Sequence, residues 1–126
     1  MSHPEQFTIK RDDTLPKIQV QLWDDEAKTE KTDLTLATEQ NFHMIDRNQV
    51  GLSNPTLKVE AAATIVGAAI DGVLEYAWSD SNDDTDTAGI YFAEFEVTWS
   101  PTLRTTYPND GYIVVKIVDD IDATDE

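Results

Sequence analysis

Between residues 89 and 99 the side chains alternate without a break. Tyr91, Ala93, Phe95, Val97 and Trp99 fall on one face, and Glu94, Glu96 and Thr98 fall on the other, which Ile90 and Phe92 begin. Extended backbone sends successive side chains to opposite sides, so this period of two marks a strand with one buried face.

The same alternation recurs along the chain. Phe7 and Ile9 alternate with Thr8 and Lys10, and Ile18, Val20 and Leu22 alternate with Lys17, Gln19 and Gln21. Pro16 stands just before that second strand, where its missing N–H is tolerated. Phe42 and Met44 share a face, Leu57, Val59 and Ala61 share another, and so do Leu74, Tyr76 and Trp78. Tyr112 to Val118 reads as a final strand. Turn residues separate these runs: Asn48, Gly51, Asn54 and Pro55 in one loop, and Tyr107-Pro108-Asn109-Asp110-Gly111 in another. The segment from Ala61 to Ile70 is ambiguous. Its alanines favour helix, while Thr64, Ile65 and Val66 favour strand and Gly67 weakens a helix; strand is the expectation, a helical turn the alternative. Seven or eight short strands with no convincing helix predict an all-β fold, an antiparallel β-sandwich.

A chain of 126 residues is expected to form one domain. The sandwich is expected over 7–118, with a flexible N-terminal tail at 1–6 and an acidic C-terminal tail at 119–126. The start is polar and lacks the apolar stretch of a signal peptide, and the run 61–70 is too short to span a bilayer, so a soluble protein is expected. Nine basic and 25 acidic residues leave a net charge of −16, which argues against nucleic acid and anionic membranes as partners.

The residues exclude much chemistry. There is no cysteine, so disulfides, thiolate metal sites and cysteine nucleophiles are absent. His3 and His43 are the only histidines, and His3 lies in the polar start; with one histidine in the folded part, a histidine-based triad or zinc centre is nearly closed off. No nucleophile elbow or phosphate-cradling glycine loop occurs; the five glycines are isolated. Acids are abundant, yet no pair stands out for two-carboxylate glycoside hydrolysis. Glu94 and Glu96 share a face, where they are expected to keep the sheet wet.

The candidate metal site is the turn from Asp80 to Asp86, where Asp80, Asp83, Asp84 and Asp86 place four carboxylates within seven residues. Calcium takes six to eight oxygens, so such a turn is a candidate for it, although the spacing departs from the twelve-residue helical calcium loop. The simpler reading is a solvated connection in which Asp86 or Thr87 caps the turn. Asp24, Asp25 and Glu26 form a second acidic loop with the same reading. Trp78, Tyr91, Phe95 and Trp99 obey strand alternation and are expected in the core rather than on a sugar-binding platform; Trp23 follows the second strand and is expected to be partly exposed. No cofactor is expected.

Several segments carry a resemblance. Phe7-Thr8-Ile9-Lys10-Arg11-Asp12-Asp13-Thr14-Leu15-Pro16, Asp33-Leu34-Thr35 with Phe42 after it, and Gly72-Val73-Leu74-Glu75-Tyr76-Ala77-Trp78 come in this order. Asp86-Thr87-Ala88-Gly89-Ile90-Tyr91-Phe92-Ala93-Glu94-Phe95-Glu96-Val97 and Tyr107-Pro108-Asn109-Asp110-Gly111-Tyr112 follow. Taken in order, they resemble the N-terminal domain of phage baseplate upper proteins and related tailed-phage virion structural proteins. The resemblance implies an immunoglobulin-like sandwich with no catalytic residues. It implies a structural, assembly-forming part of a virion, made in the host cytoplasm. The place it implies in the particle is baseplate, tail, head–tail joint or capsid surface, and the partners it implies are other virion proteins in a homo- or hetero-oligomer. The alternative function is a calcium- or carbohydrate-binding accessory module.

Overall fold

The computed structural model describes residues 6–25, 27–108 and 111–119. The expectations for 1–5, for His3, for Glu26 in the second acidic loop, for the turn residues Asn109 and Asp110, and for 120–126 lie outside the described residues. Gln6, assigned to the N-terminal tail, is the first residue of a strand.

Among the described residues the fold is all-β, with nine strands: β1 (Gln6–Lys10), β2 (Ile18–Gln21), β3 (Glu39–Asp46), β4 (Leu57–Ala62), β5 (Thr64–Ile65), β6 (Val73–Tyr76), β7 (Gly89–Ser100), β8 (Leu103–Tyr107) and β9 (Ile113–Val118). They form two sheets. The larger runs β1-β9-β7-β3-β4, with β8 also paired to β7, and the smaller runs β2-β6-β5. The long strand β7 is the axis of the larger sheet. Residues 89–93 pair with β9, residues 95–100 pair with β8, and β3 lies along its other side.

The two sheets meet through aromatic rings. Phe42 and Phe95 sit opposite each other in the β3–β7 register, and their ring centroids are 5.0 Å apart. Across the interior, Tyr76 of the smaller sheet stacks on Phe42 at 4.6 Å with 9° between planes. Trp78 meets both rings edge-on, at 5.6 Å and 5.5 Å. Its indole N–H is satisfied by the Pro16 carbonyl at 3.1 Å, as a buried tryptophan requires. Ile9, Val97, Val115 and Ile117 complete the same buried cluster from the larger sheet, and Ile18, Val20 and Leu74 from the smaller.

Three features depart from the expectation. The first is strand direction: β1 pairs with β9 in parallel, so the larger sheet is mixed rather than purely antiparallel. A tight turn forces antiparallel pairing only between strands that it joins, and β1 and β9 stand at opposite ends of the described chain. The second is the count, nine strands rather than seven or eight. Strand β8 carries no alternating apolar face, since only Tyr107 among its residues is buried. The third is the stretch from Ala61 to Ile70, which is not one strand. Ala63 still donates to Gln40 of β3, whereas Thr64 and Ile65 already pair with β6. The chain therefore changes sheets here. It then passes through Gly67 at φ +70° into a 3-10 turn at Ala69–Asp71.

Candidate functional site

The larger sheet buries one face and leaves the other open. On β7 the outward positions hold Phe92 and Glu94; on β3 they hold His43 and Ile45. The antiparallel register sets Ile45 opposite Phe92 and His43 opposite Glu94. On the other side of β7, Phe92 pairs with Val114. Tyr112, just before β9, lays its ring on Phe92 with centroids 5.1 Å apart and planes 3° apart.

A loop completes the arrangement. Asp46 ends β3 and accepts the Asn48 amide at 2.8 Å, capping a 3-10 turn at Arg47–Gln49. That turn brings Val50 and Gly51 over the sheet, next to Leu57 of β4. The result is a hollow of about 190 Å³ whose walls include Ile45, Val50, Leu57, Phe92 and Tyr112, with His43 and Glu94 at its polar side. Val50, Leu57 and Tyr112 are among the exposed large apolar side chains of the described residues.

Glu94 is the unusual group. Desolvation raises its pKa above the ordinary carboxylate range; nearby His43 works against the shift, and Glu96 adds to it. Among the described residues, no hydrogen bond and no ion pair within 4.0 Å reaches the Glu94 carboxylate. The His43 imidazole instead lies 4.0 Å from the Glu60 carboxylate on β4. Glu96 and Glu60 are not lining residues of the hollow, so Glu94 is the one carboxylate among the described residues lining it. Such a site can accept hydrogen bonds or pair a cation beside apolar surface. In sequence, Glu94 and Glu96 mark a wet sheet face that Ile90 and Phe92 begin. The hollow was not legible, because a loop and Tyr112 from outside the strand complete it.

The four carboxylates of the candidate metal site take different roles. Asp84 is buried, and it accepts the Tyr76 hydroxyl at 2.5 Å and the Ser79 amide at 2.8 Å. Asp86 is exposed and pairs with Lys58 of β4 at 2.5 Å, which holds its carboxyl below the usual range. Asp80 and Asp83 are exposed; the Asp83 amide donates to the Asp80 carbonyl, and Asp83 adopts φ +58°. Among the described residues, no group of three or more His, Cys, Asp or Glu side chains is placed to hold a metal ion. In the second acidic loop, Asp25 accepts the Thr29 hydroxyl and the amides of Thr29 and Glu30, so its carboxyl is also held low. Asp24 accepts the Thr32 hydroxyl at 2.8 Å.

The aromatics divide in the same way. Trp78, Tyr91 and Phe95 are core residues, Trp99 is half-buried against the core, and its indole donates to Thr105 at 3.0 Å. Trp23 is half-buried and bridges to Lys31. No helix among the described residues is long and apolar enough to cross a membrane. Neither a scan against protein-family models nor a search of curated proteins finds a match to this chain.

Proposed function

We propose that this chain is a non-enzymatic assembly module, a structural protein of a tailed-phage virion, and that it acts by docking on neighbouring virion proteins. The observation that carries the docking reading is the open outer face of the larger sheet, where the Phe92–Tyr112 stack, Ile45 and Leu57 surround a solvent-reachable hollow. Apolar side chains left partly exposed beside polar groups give a partner apolar surface to cover. The virion assignment rests on the ordered resemblance to phage baseplate upper proteins. It is supported by the place of the resembling residues in the fold. Phe42, Tyr76 and Trp78 make the contact between sheets, and Tyr91, Ala93, Phe95 and Val97 are the buried face of the central strand. Those residues are committed to packing, which leaves edges and outward faces for partners.

Mass spectrometry of purified virions of the encoding phage tests the reading. The chain should appear at a fixed ratio to the major structural proteins. Virions that contain those proteins and repeatedly lack this chain would overturn the assignment.

A further inference from the structure

We propose that the hollow on the outer face of the larger sheet is a socket for a single arginine or lysine side chain, presented by a basic segment of a partner protein. The proposal rests on the docking reading above and names the chemistry of its partner.

Size comes first. Small-molecule sites run from roughly 300 to 1,000 Å³. The hollow, at about 190 Å³, is smaller and suits one long side chain. Its walls come next. Phe92, Tyr112, Ile45 and Leu57 offer apolar surface, while Glu94 offers a carboxylate with no ion pair or hydrogen bond from the described residues. A purely apolar occupant would remove water from that carboxylate and put nothing in its place. A lysine or arginine has the complementary shape: a hydrocarbon stem for the aromatic wall and a cationic head for the acid. The stacked rings add attraction for a cation lying over them.

Charge selects the kind of partner. Glu96 adds to the negative field around Glu94, Glu60 sits beside the neighbouring His43, and the chain carries a net charge of −16. A second copy would bring the same charge and be repelled, whereas a basic segment is drawn in. A cationic head reaching Glu94 would also supply the compensation that His43, shared with Glu60, gives only in part.

The test uses the full chain, labelled with nitrogen-15. It is titrated with acetyl-Leu-Arg-Leu-amide, with its lysine counterpart, and with a citrulline counterpart that keeps the shape and loses the charge. The arginine and lysine peptides should move the amide signals of Phe92, Glu94 and Tyr112 together and to saturation. Citrulline should bind about tenfold more weakly, since an ionised pair is the stronger hydrogen bond. Glu94→Gln should erase the preference for arginine over citrulline, with the spectrum otherwise folded. Equal binding of citrulline would overturn the socket. So would shifts scattered over Asp80 and Asp83, or no shifts at the hollow. A chain found in virions whose hollow ignores all three peptides refutes the socket and leaves the assembly reading standing. A chain missing from virions refutes that reading, and the peptides still judge the socket alone.

Discussion

The Tyr76 hydroxyl donates to the buried Asp84 carboxylate at 2.5 Å, tying the strand that packs on Phe42 to the acidic loop eight residues later. The loop is therefore anchored from inside. Asp84→Ala would leave the phenol and the Ser79 amide without their acceptor, and a loss of about 2–3 kcal/mol is expected from urea unfolding. Tyr76→Phe should cost about 1–2 kcal/mol. A double-mutant cycle should show coupling of about 1 kcal/mol or more between the two. Purely additive losses would show that the groups act independently.

Calcium should not stabilise the protein. Asp84 is occupied within the fold, and Asp86 is drawn to Lys58. Millimolar calcium is expected to leave Tm unchanged in a scanning calorimeter. A rise of roughly 5 °C or more would mean that the carboxylates of the turn converge on the ion after all.

High pH should unfold the chain through its phenols. Burial pushes the Tyr76 phenol far above its ordinary value of 10.0, and the hydrogen bond and charge of Asp84 push it further. Tyr91 and Tyr107 are also raised, chiefly by burial. The folded state favours the neutral phenols. Their stabilisation is whole below about pH 10 and is lost as pH climbs through the raised folded values. Tyrosinate absorbance and near-ultraviolet circular dichroism, followed together, should change in one cooperative step. Three phenols ionising while the dichroism persists would contradict this.

Glu94 follows the same sign at a lower pH. Its raised folded pKa means that the fold prefers the protonated acid. The preference is fully expressed below the unfolded value of 4.5 and is lost as pH rises through the folded value. Glu94→Gln should therefore gain a few tenths of a kcal/mol at pH 7, a small effect because the group still meets solvent. At pH 3 the variant and the parent should melt together. Equal destabilisation at both pH values would show that Glu94 makes a contact missed by its burial and charge.

Gly72 allows a close approach that no other residue could make. It sits at φ +67°, and a Cβ there would lie 2.3 Å from the Thr32 carbonyl oxygen. Its own carbonyl accepts the Leu22 amide at 2.8 Å, so the backbone cannot easily move aside. Gly72→Ala is expected to cost about 3 kcal/mol or more, from strain and clash together. Gly67→Ala shares the positive φ but meets open space, and about 1 kcal/mol is expected. Similar losses at both sites, measured by chemical unfolding, would refute the role of the Thr32 contact.

Alternation by itself determined most of the buried faces; Leu57, which in sequence shares a face with Val59, instead lies exposed at the outer hollow, where the β3–β4 register slips at Met44/Ile45. Phe42, Met44, Leu74, Tyr76, Tyr91, Phe95 and Val97 point inward, as their period of two requires. The pairing of strands lay beyond it, because alternation carries no direction and no partner. Only the packed sheets could set β1 parallel to β9, turn Ala63 into the crossing between sheets, and find β8 in a stretch with one buried residue. The acids show the same divide. Their crowding between residues 80 and 86 was plain, yet whether carboxylates converge depends on what each one meets. Asp84 turned in to Tyr76 and Asp86 turned to Lys58. Glu94, which no hydrogen bond or ion pair reaches among the described residues, became the acid of a hollow because Tyr112 and the loop at Val50, distant along the chain, close around it once the sheet has formed.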